Sequence, residues 1–366
     1  MRKALLFLGV CLLASIKYVY AQGQSARLVT VVNYVEYSDS LGHKLRIAGD
    51  STHYGYKKNS GNDLKFVGYE MVKGMPSFGI QGIIPVKCDS VFVCKTDERS
   101  PKIKLSSLTI NEYDQRNNLV DEKIFDVSYF SNELYLFNHK IYTYDKNNNN
   151  TSITESIYDD RKDTVLHEKI RKYEYSSVNK DTAETEIDLK TGFVLTKSFF
   201  RYDGRDRIIQ SHTTRWGKKM REESLNTTCS YSYDSSANII VVKMQTHNVV
   251  DKNSYSDPQA VVTYTYKNNK IVDFDYSQRN DSTRPWSHPI STSFVYSDKG
   301  QLVSTAGKKT LGQEGTWEYN DEGQPINFTS AEEDFSPKPF TMPDGTRCFK
   351  GRLVRQYLYQ PYNPSK

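Results

Sequence analysis

The sequence lacks what most enzymes and membrane proteins advertise. Beyond the apolar run from Ala4 to Ala14, no stretch approaches the roughly 20 apolar residues that a membrane-crossing helix needs. The seven histidines, at positions 43, 53, 139, 167, 212, 247 and 288, are dispersed and form no His-Glu-x-x-His pair. No Gly-x-Ser-x-Gly elbow and no Gly-rich phosphate loop occurs. Of five cysteines, Cys11 lies in the apolar run, and Cys88, Cys94, Cys229 and Cys348 show neither a Cys-x-x-Cys nor a metal-ligand spacing. These shortages argue against an enzyme and against a metal or cofactor. A hydrolase would need a carboxylate pair or a Ser/His pair that meets only in space.

A positive field is also missing. Arg2 and Lys3 precede the Ala4 to Ala14 run, and Val19-Tyr20-Ala21 offers small-residue cleavage before Gln22, so residues 1–21 read as a secretory signal. Removing them takes away Arg2, Lys3 and Lys17 and lowers the formal charge from +5 to +2. No nucleic-acid partner is expected of so balanced a chain. Val10 precedes Cys11 where a lipoprotein would carry a small residue, so a cleaved, soluble form is expected. In an exported protein disulfides are permitted. Cys88 and Cys94 flank an extended Val91-Phe92-Val93, which separates their Cα atoms by ~20 Å unless Asp89-Ser90 turns, too far for a bridge. The remaining choices are pairing elsewhere or staying reduced.

What the chain has in excess is tyrosine, 27 in all, with only 37% hydrophobic residues. The stretch Tyr231-Ser232-Tyr233-Asp234 runs through a small polar cluster to Asn238, then resumes as a β-branched run at Ile239. Alternation places both tyrosines on one face, and Asp, Ser and Asn supply the turn. The stretch recurs. Its second aromatic stands at Tyr113, Tyr144, Tyr175, Tyr202, Tyr233, Tyr266, Tyr296 and Tyr319, with gaps of 31, 31, 27, 31, 33, 30 and 23 residues.

Each period holds two strands. Arg207 to Trp216, Glu222 to Tyr233, Ile239 to Val250 and Gln259 to Tyr266 read as successive strands joined by polar turns. Connections this short predict an all-β antiparallel meander of ~30-residue repeats, forming a large twisted or curled sheet. Tyr-x-Tyr faces stacking across strands would link one repeat to the next, and the tyrosines are read first as structural. Residues 22–100 are less regular, with a strand at Val29 to Tyr37, and are expected to form an N-terminal β lobe or cap. The repeats occupy 101–330, and 331–366 form a capping segment with a last strand near Leu353 to Tyr359.

The copies Phe200 to Ile208 (FRYDGRDRI), Phe294 to Leu302 (FVYSDKGQL) and Trp317 to Pro325 (WEYNDEGQP) resemble degenerate YD repeats of the Rhs type, whose pattern is YxYDxxGxL. The resemblance spans roughly residues 101–330 and implies a twisted, curling YD-type β-sheet. The period here is longer, Ser297, Asn320 and Lys267 replace the Asp, and the Gly is often absent. The large Rhs shells carry a toxin domain after the repeats, which nothing here resembles, so toxin encapsulation is not implied. Small secreted YD-repeat-like proteins of Gram-negative envelopes are the nearer comparison.

Asp145 to Asn150 places oxygen ligands at alternate positions as a calcium loop does, but it lacks the central Gly and reads as an Asn-rich hairpin turn. Glu332, Glu333 and Asp334 read as a solvated acidic loop. The best site candidate is the long segment Gln278 to Pro289, which breaks the short-turn habit of the repeats. Within it, Trp286 would stack on a sugar or anchor a protein, Arg284 would supply a hydrogen-bonding fork, and His288 stands beside them. Against this, Trp286 would fold back over the sheet, because large aromatics are usually buried. The expectation is an exported, non-catalytic binding or scaffolding protein of a Gram-negative cell envelope, periplasmic, surface-associated or secreted, that recognises a cell-surface glycan or envelope protein. A carrier of a lipid or apolar ligand in the curled sheet is a second reading, and a hydrolase with a spatially assembled site is a third.

Overall fold

A computed structural model describes residues 26–39, 41–56, 64–72, 75–85, 87–97, 100–161, 164–216, 223–248, 259–280, 284–308, 314–334, 340–341 and 347–361. Residues 1–21, expected to be a secretory signal, and the turns expected within 217–222 and 251–258 lie outside the described residues.

The first strands are β1 (Ala26–Asp39), β2 (Lys44–Gly55), β3 (Leu64–Val72), β4 (Met75–Pro85), β5 (Ser90–Asp97), β6 (Ser100–Tyr113) and β7 (Leu119–Val127). Next come β8 (Leu134–Tyr144), β9 (Asn150–Tyr158), β10 (Val165–Tyr175), β11 (Asp181–Asp188), β12 (Val194–Tyr202), β13 (Ile208–Trp216) and β14 (Glu223–Tyr233). The series continues with β15 (Ile239–Asn248), β16 (Gln259–Lys267), β17 (Lys270–Arg279), β18 (Ile290–Tyr296), β19 (Leu302–Lys308), β20 (Gly315–Tyr319) and β21 (Pro325–Ser330). Last are the short β22 (Glu333–Asp334) and β23 (Phe340–Thr341) and the long β24 (Arg347–Pro361).

The expected antiparallel meander is present, from β5 through β21. The expected open, curled sheet is corrected: the sheet closes. β21 pairs with β24, β24 with β1, β1 with β2 and β2 with β5, so twenty strands form a continuous barrel wall. Closure removes the unpaired edges that a free meander would expose. β22 and β23 follow β21 along the same side of β24, and β3 and β4 form a separate two-stranded sheet.

The hairpins at the repeat motif share one construction. Residues Asp114, Asp145, Ser176, Asp203, Asp234, Ser297 and Asn320 each accept, at the backbone carbonyl, the N–H three residues on and donate to the carbonyl four residues on. The residue three places on then takes a left-handed conformation: Asn117, Asn148, Asn179, Asp206, Ala237, Gly300 and Gly323. A tight turn closed by a left-handed residue gives a bulged hairpin, and the register shifts at each motif tyrosine, as between Ser232 and Tyr233. The aspartate side chain reinforces the turn. Asp145 Oδ1 accepts the N–H groups of Asn147 and Asn149 at 2.8 and 2.9 Å, so this carboxylate serves the hairpin.

The motif tyrosines tie the repeats together through their hydroxyls. Tyr144 donates to the carbonyl of Leu119 at 2.9 Å, Tyr175 to Asn150 at 2.9 Å, Tyr202 to Asp181 at 2.7 Å and Tyr233 to Ile208 at 2.5 Å. Tyr319 reaches Leu302 at 2.7 Å and Tyr359 reaches Pro325 at 2.8 Å in the same way. Each acceptor is the first residue of the neighbouring strand that precedes the tyrosine's own in the wall. Ring packing adds to this where aromatics face one another, as Tyr264, Phe274 and Phe294 do at 6.3 and 6.2 Å.

Burial alternates with the pleat. Cys229, Tyr231, Val242, Val262, Tyr264, Phe274 and Phe294 form one core on one face, whereas Ser230, Ser232, Thr263, Thr265 and Asp275 on the opposite face are exposed. In a closed wall the buried face is the interior. The opposite face carries hydroxyls and carboxylates at mid-strand, interspersed with exposed apolar side chains such as Ile141, Phe199 and Val295. Among the described residues no helix is long and apolar enough to cross a membrane. A second core at the seam joins Leu28, Val31, Trp317, Phe328 and Tyr357. Phe328 is fully buried, with Trp317 4.7 Å away. At Gly315 a Cβ would sit 2.6 Å from the Phe328 ring, so only glycine permits this approach.

Candidate functional site

Two places present chemistry. The first is the segment singled out from the sequence, which the structure shortens: Gln278 and Arg279 belong to β17, and residues 281–283 lie outside the described ones. Ser287 pins the returning chain, donating its N–H to the Gln278 carbonyl at 2.8 Å and accepting the Gln278 N–H at Oγ at 3.0 Å. Arg284, Trp286 and His288 are all exposed. Trp286 is 41% exposed, so it neither folds fully over the sheet nor stands alone in water. The Arg279 guanidinium lies 4.6 Å from the indole centre, and Nε and Nη2 of Arg279 both donate to Gln259 Oε1, at 2.9 and 2.5 Å. A cation held by its neighbouring strand thus supports an aromatic ring that is part-exposed.

The second place was missed in the sequence. It lies on the interior face of β7 to β11, where the wall turns from apolar to charged. Glu122 stands opposite Lys140, Lys140 opposite Glu155, and Glu155 opposite Lys169. On the next pair Arg171 faces Glu186. Signs alternate, and the contacts follow. Lys140 Nζ meets Glu122 Oε2 at 3.0 Å, Lys169 Nζ meets Glu155 at 3.0 Å and Glu186 at 3.3 Å, and Arg171 Nη2 meets Glu186 at 2.9 Å. Tyr142 donates its hydroxyl to Glu122 at 2.7 Å, and Asn138 Nδ2 donates to Glu155 Oε1 at 2.7 Å.

Lys140, Tyr142, Ile153, Glu155, Lys169, Arg171 and Glu186 line a cavity of about 280 Å³. Burial alone would raise the carboxyls of Glu155 and Glu186, but hydrogen bonds and charge from Asn138, Lys169 and Arg171 outweigh it and hold both below the usual range. Burial opposes the charge on Lys169 as well, and Glu155 and Glu186 together overcome it and raise its pKa. Glu155, Glu186 and Lys169 therefore stay ionised at neutral pH. Such half-solvated pairs contribute little stability each, because water screens them. Their consequence is chemical: a concave wall with dense charged donors and acceptors and a balanced sum.

A signal for this row existed in the sequence. Counting back in twos from Tyr144 gives Tyr142, Lys140 and Asn138, and from Tyr175 it gives Tyr173, Arg171, Lys169 and His167. Counting back from Tyr233 gives Tyr231 and Cys229, and from Tyr266 gives Tyr264, Val262 and Ala260. The motif tyrosines thus index which positions face inward, polar in one half and apolar in the other.

Cys88, Cys94, Cys229 and Cys348 form no disulfide among the described residues. Burial, with Asp89 nearby, pushes Cys88 up to about 11, which makes it a poor nucleophile at neutral pH.

No family model and no curated protein matches the chain. Solved structures similar to it include TcdB2-TccC3-Cdc42, with a TM-score of 0.32 and 11% identity over 87% of this chain. Another is a porin-like protein from Bacteroides uniformis, with a TM-score of 0.33 and 10% identity, covering 70% of this chain and 97% of that one. The chain spans only 20% of the length of the TcdB2-TccC3-Cdc42 chain.

Proposed function

We propose that this is an exported, non-catalytic binding protein of a Gram-negative cell envelope, built from degenerate YD repeats, that recognises glycan through its outer aromatic segment. The observation that carries this reading is Trp286, part-exposed and supported by Arg279 at 4.6 Å. A sugar ring offers an apolar C–H face to an indole, and charged side chains at the rim supply the directional hydrogen bonds. Arg284 and His288, exposed on the same short stretch, are the groups placed to do so. The family reading is supported by the recurring bulged hairpin, whose left-handed position falls where the YD pattern has Gly.

The test is an array of envelope and host glycans probed with the chain from Gln22 to Lys366 and with its Trp286→Ala variant. Binding by the parent that disappears in the variant is the expected result. Binding unchanged in the variant would remove Trp286 from the site, and no binding by either would remove glycan recognition.

A further inference from the structure

We propose a second, separate site inside the barrel: the charged wall of β7 to β11 receives a neutral polyhydroxylated ligand of one or two sugar rings. Size is the first argument. The cavity, about 280 Å³, lies just below the ~300–1,000 Å³ of pockets for drug-sized molecules, which suits a small saccharide.

Charge balance is the second argument. Glu122, Glu155 and Glu186 are matched by Lys140, Lys169 and Arg171, each within 3.3 Å of an opposite partner. An anionic or cationic ligand would leave one charge in excess in a half-buried place, which is unfavourable. Hydroxyl groups impose no such excess, and they exchange their bonds to water for charge-assisted ones.

Capacity is the third argument. A guanidinium carries five N–H donors and an ammonium three, while Arg171 engages Glu186 and Tyr173 and Lys140 reaches Glu122, which leaves donors over on both cations. Glu186 meets both of its cations through Oε2, which leaves Oε1 for a ligand hydroxyl. Asn138, 7% exposed, gives its amide N–H to Glu155 Oε1 from behind and holds that carboxylate in place against the cavity. Tyr142 presents its ring to the same cavity, and Arg171, with 45% of its side chain exposed, keeps the cavity open to solvent.

The experiment is calorimetric titration of the full mature chain with glucose, galactose, maltose and lactose, and with glucuronate and glucosamine as charged counterparts. At least one neutral sugar is expected to bind with a Kd of about 1 mM or tighter. The charged counterparts are expected to bind at least about tenfold more weakly. Arg171→Ala is the diagnostic variant, since Lys169 still pairs with Glu186 in its absence. It is expected to weaken binding about tenfold or more, the equivalent of one lost charged hydrogen bond. Should Arg171→Ala lower the melting temperature, Arg171→Lys keeps the charge, loses the planar fork, and is expected to weaken binding several-fold. Sugar binding that Trp286→Ala abolishes while both Arg171 variants retain it would belong to the outer segment and would overturn the proposal. Tighter binding of glucuronate or glucosamine than of any neutral sugar would overturn the proposal. So would the absence of neutral-sugar binding, or insensitivity of that binding to both Arg171 variants.

Discussion

Ala237 is the position where the repeat is least at ease. It takes φ of +66°, the left-handed conformation that its counterparts assign to asparagine, aspartate or glycine. For an alanine that conformation costs ~1–2 kcal/mol. Replacing it by glycine removes the steric term but adds ~0.5–1 kcal/mol of unfolded-chain entropy to be lost on folding. The steric term wins, and Ala237→Gly is expected to stabilise the barrel by ~0.5–1 kcal/mol. The converse change gives an internal control. Gly323 has φ of +81°, and an added Cβ there would lie 2.8 Å from Gln301 Nε2. Gly323→Ala is therefore expected to destabilise by ~1 kcal/mol or more. Urea unfolding followed by circular dichroism measures both, with the midpoint moving in opposite directions at constant slope. A lower midpoint for Ala237→Gly at unchanged slope would refute the assignment of strain to this turn.

Phe328→Ala empties the fully buried position at the seam and is expected to cost ~3–5 kcal/mol, read as a large fall in the urea midpoint. Tyr175→Phe deletes one hydroxyl and leaves the Asn150 carbonyl without it, and ~1–2 kcal/mol should be lost in the same titration. Alkali should act on the same staples. Burial pushes Tyr113, Tyr175 and Tyr319 up to about 12 from 10.0, so their contribution is complete below pH 10 and is lost as pH rises toward about 12. Tyrosinate absorbance should accordingly rise together with unfolding, and titration of these tyrosines in a still-folded barrel would contradict it. In acid the signs reverse. Glu155 and Glu186 lie below 4.5, and Asp203 is lowered from 3.8 to about 2 by hydrogen bonds from Arg207. Stability should be full above about pH 4.5 and fall as pH drops toward about 2, measured by melts across that range.

Much of the wall was legible residue by residue. The strands expected at Arg207 to Trp216 and Glu222 to Tyr233 are β13 and β14 within a residue at either end. The turn at Asp234 to Asn238 closes as its Asp and Asn suggest, through the Asn238 N–H on Asp234 Oδ1 at 2.8 Å. These are local choices, set by pleat alternation and by side chains that bond their own backbone. Ring stacking was expected to link the repeats. The structure instead gives the general role to the tyrosine hydroxyl, because the bulge brings it against the first carbonyl of an earlier strand.

Of the outer segment, the sequence marked Trp286 and Arg284. That Arg279 is a cation against the indole depends on β16 setting Gln259 beside it, a cross-strand fact invisible in linear order.

By itself, then, the sequence determined the strands, the tight turns, the repeat length and the parity that sends one side chain in two toward the core. Those follow from interactions within a few residues or across one hairpin, which composition and spacing reveal. Closure was decided only in three dimensions. Arg352 meets Glu36 at 2.5 Å and Arg355 Nε donates to Asn33 at 2.6 Å, joining strands from opposite ends of the chain. Nothing local specifies that pairing, because it arises when accumulated twist brings β24 alongside β1 and two unpaired edges satisfy each other. The charged wall was decided in the same way: Lys140, Glu155, Lys169 and Glu186 are ordinary strand residues until register sets opposite signs face to face.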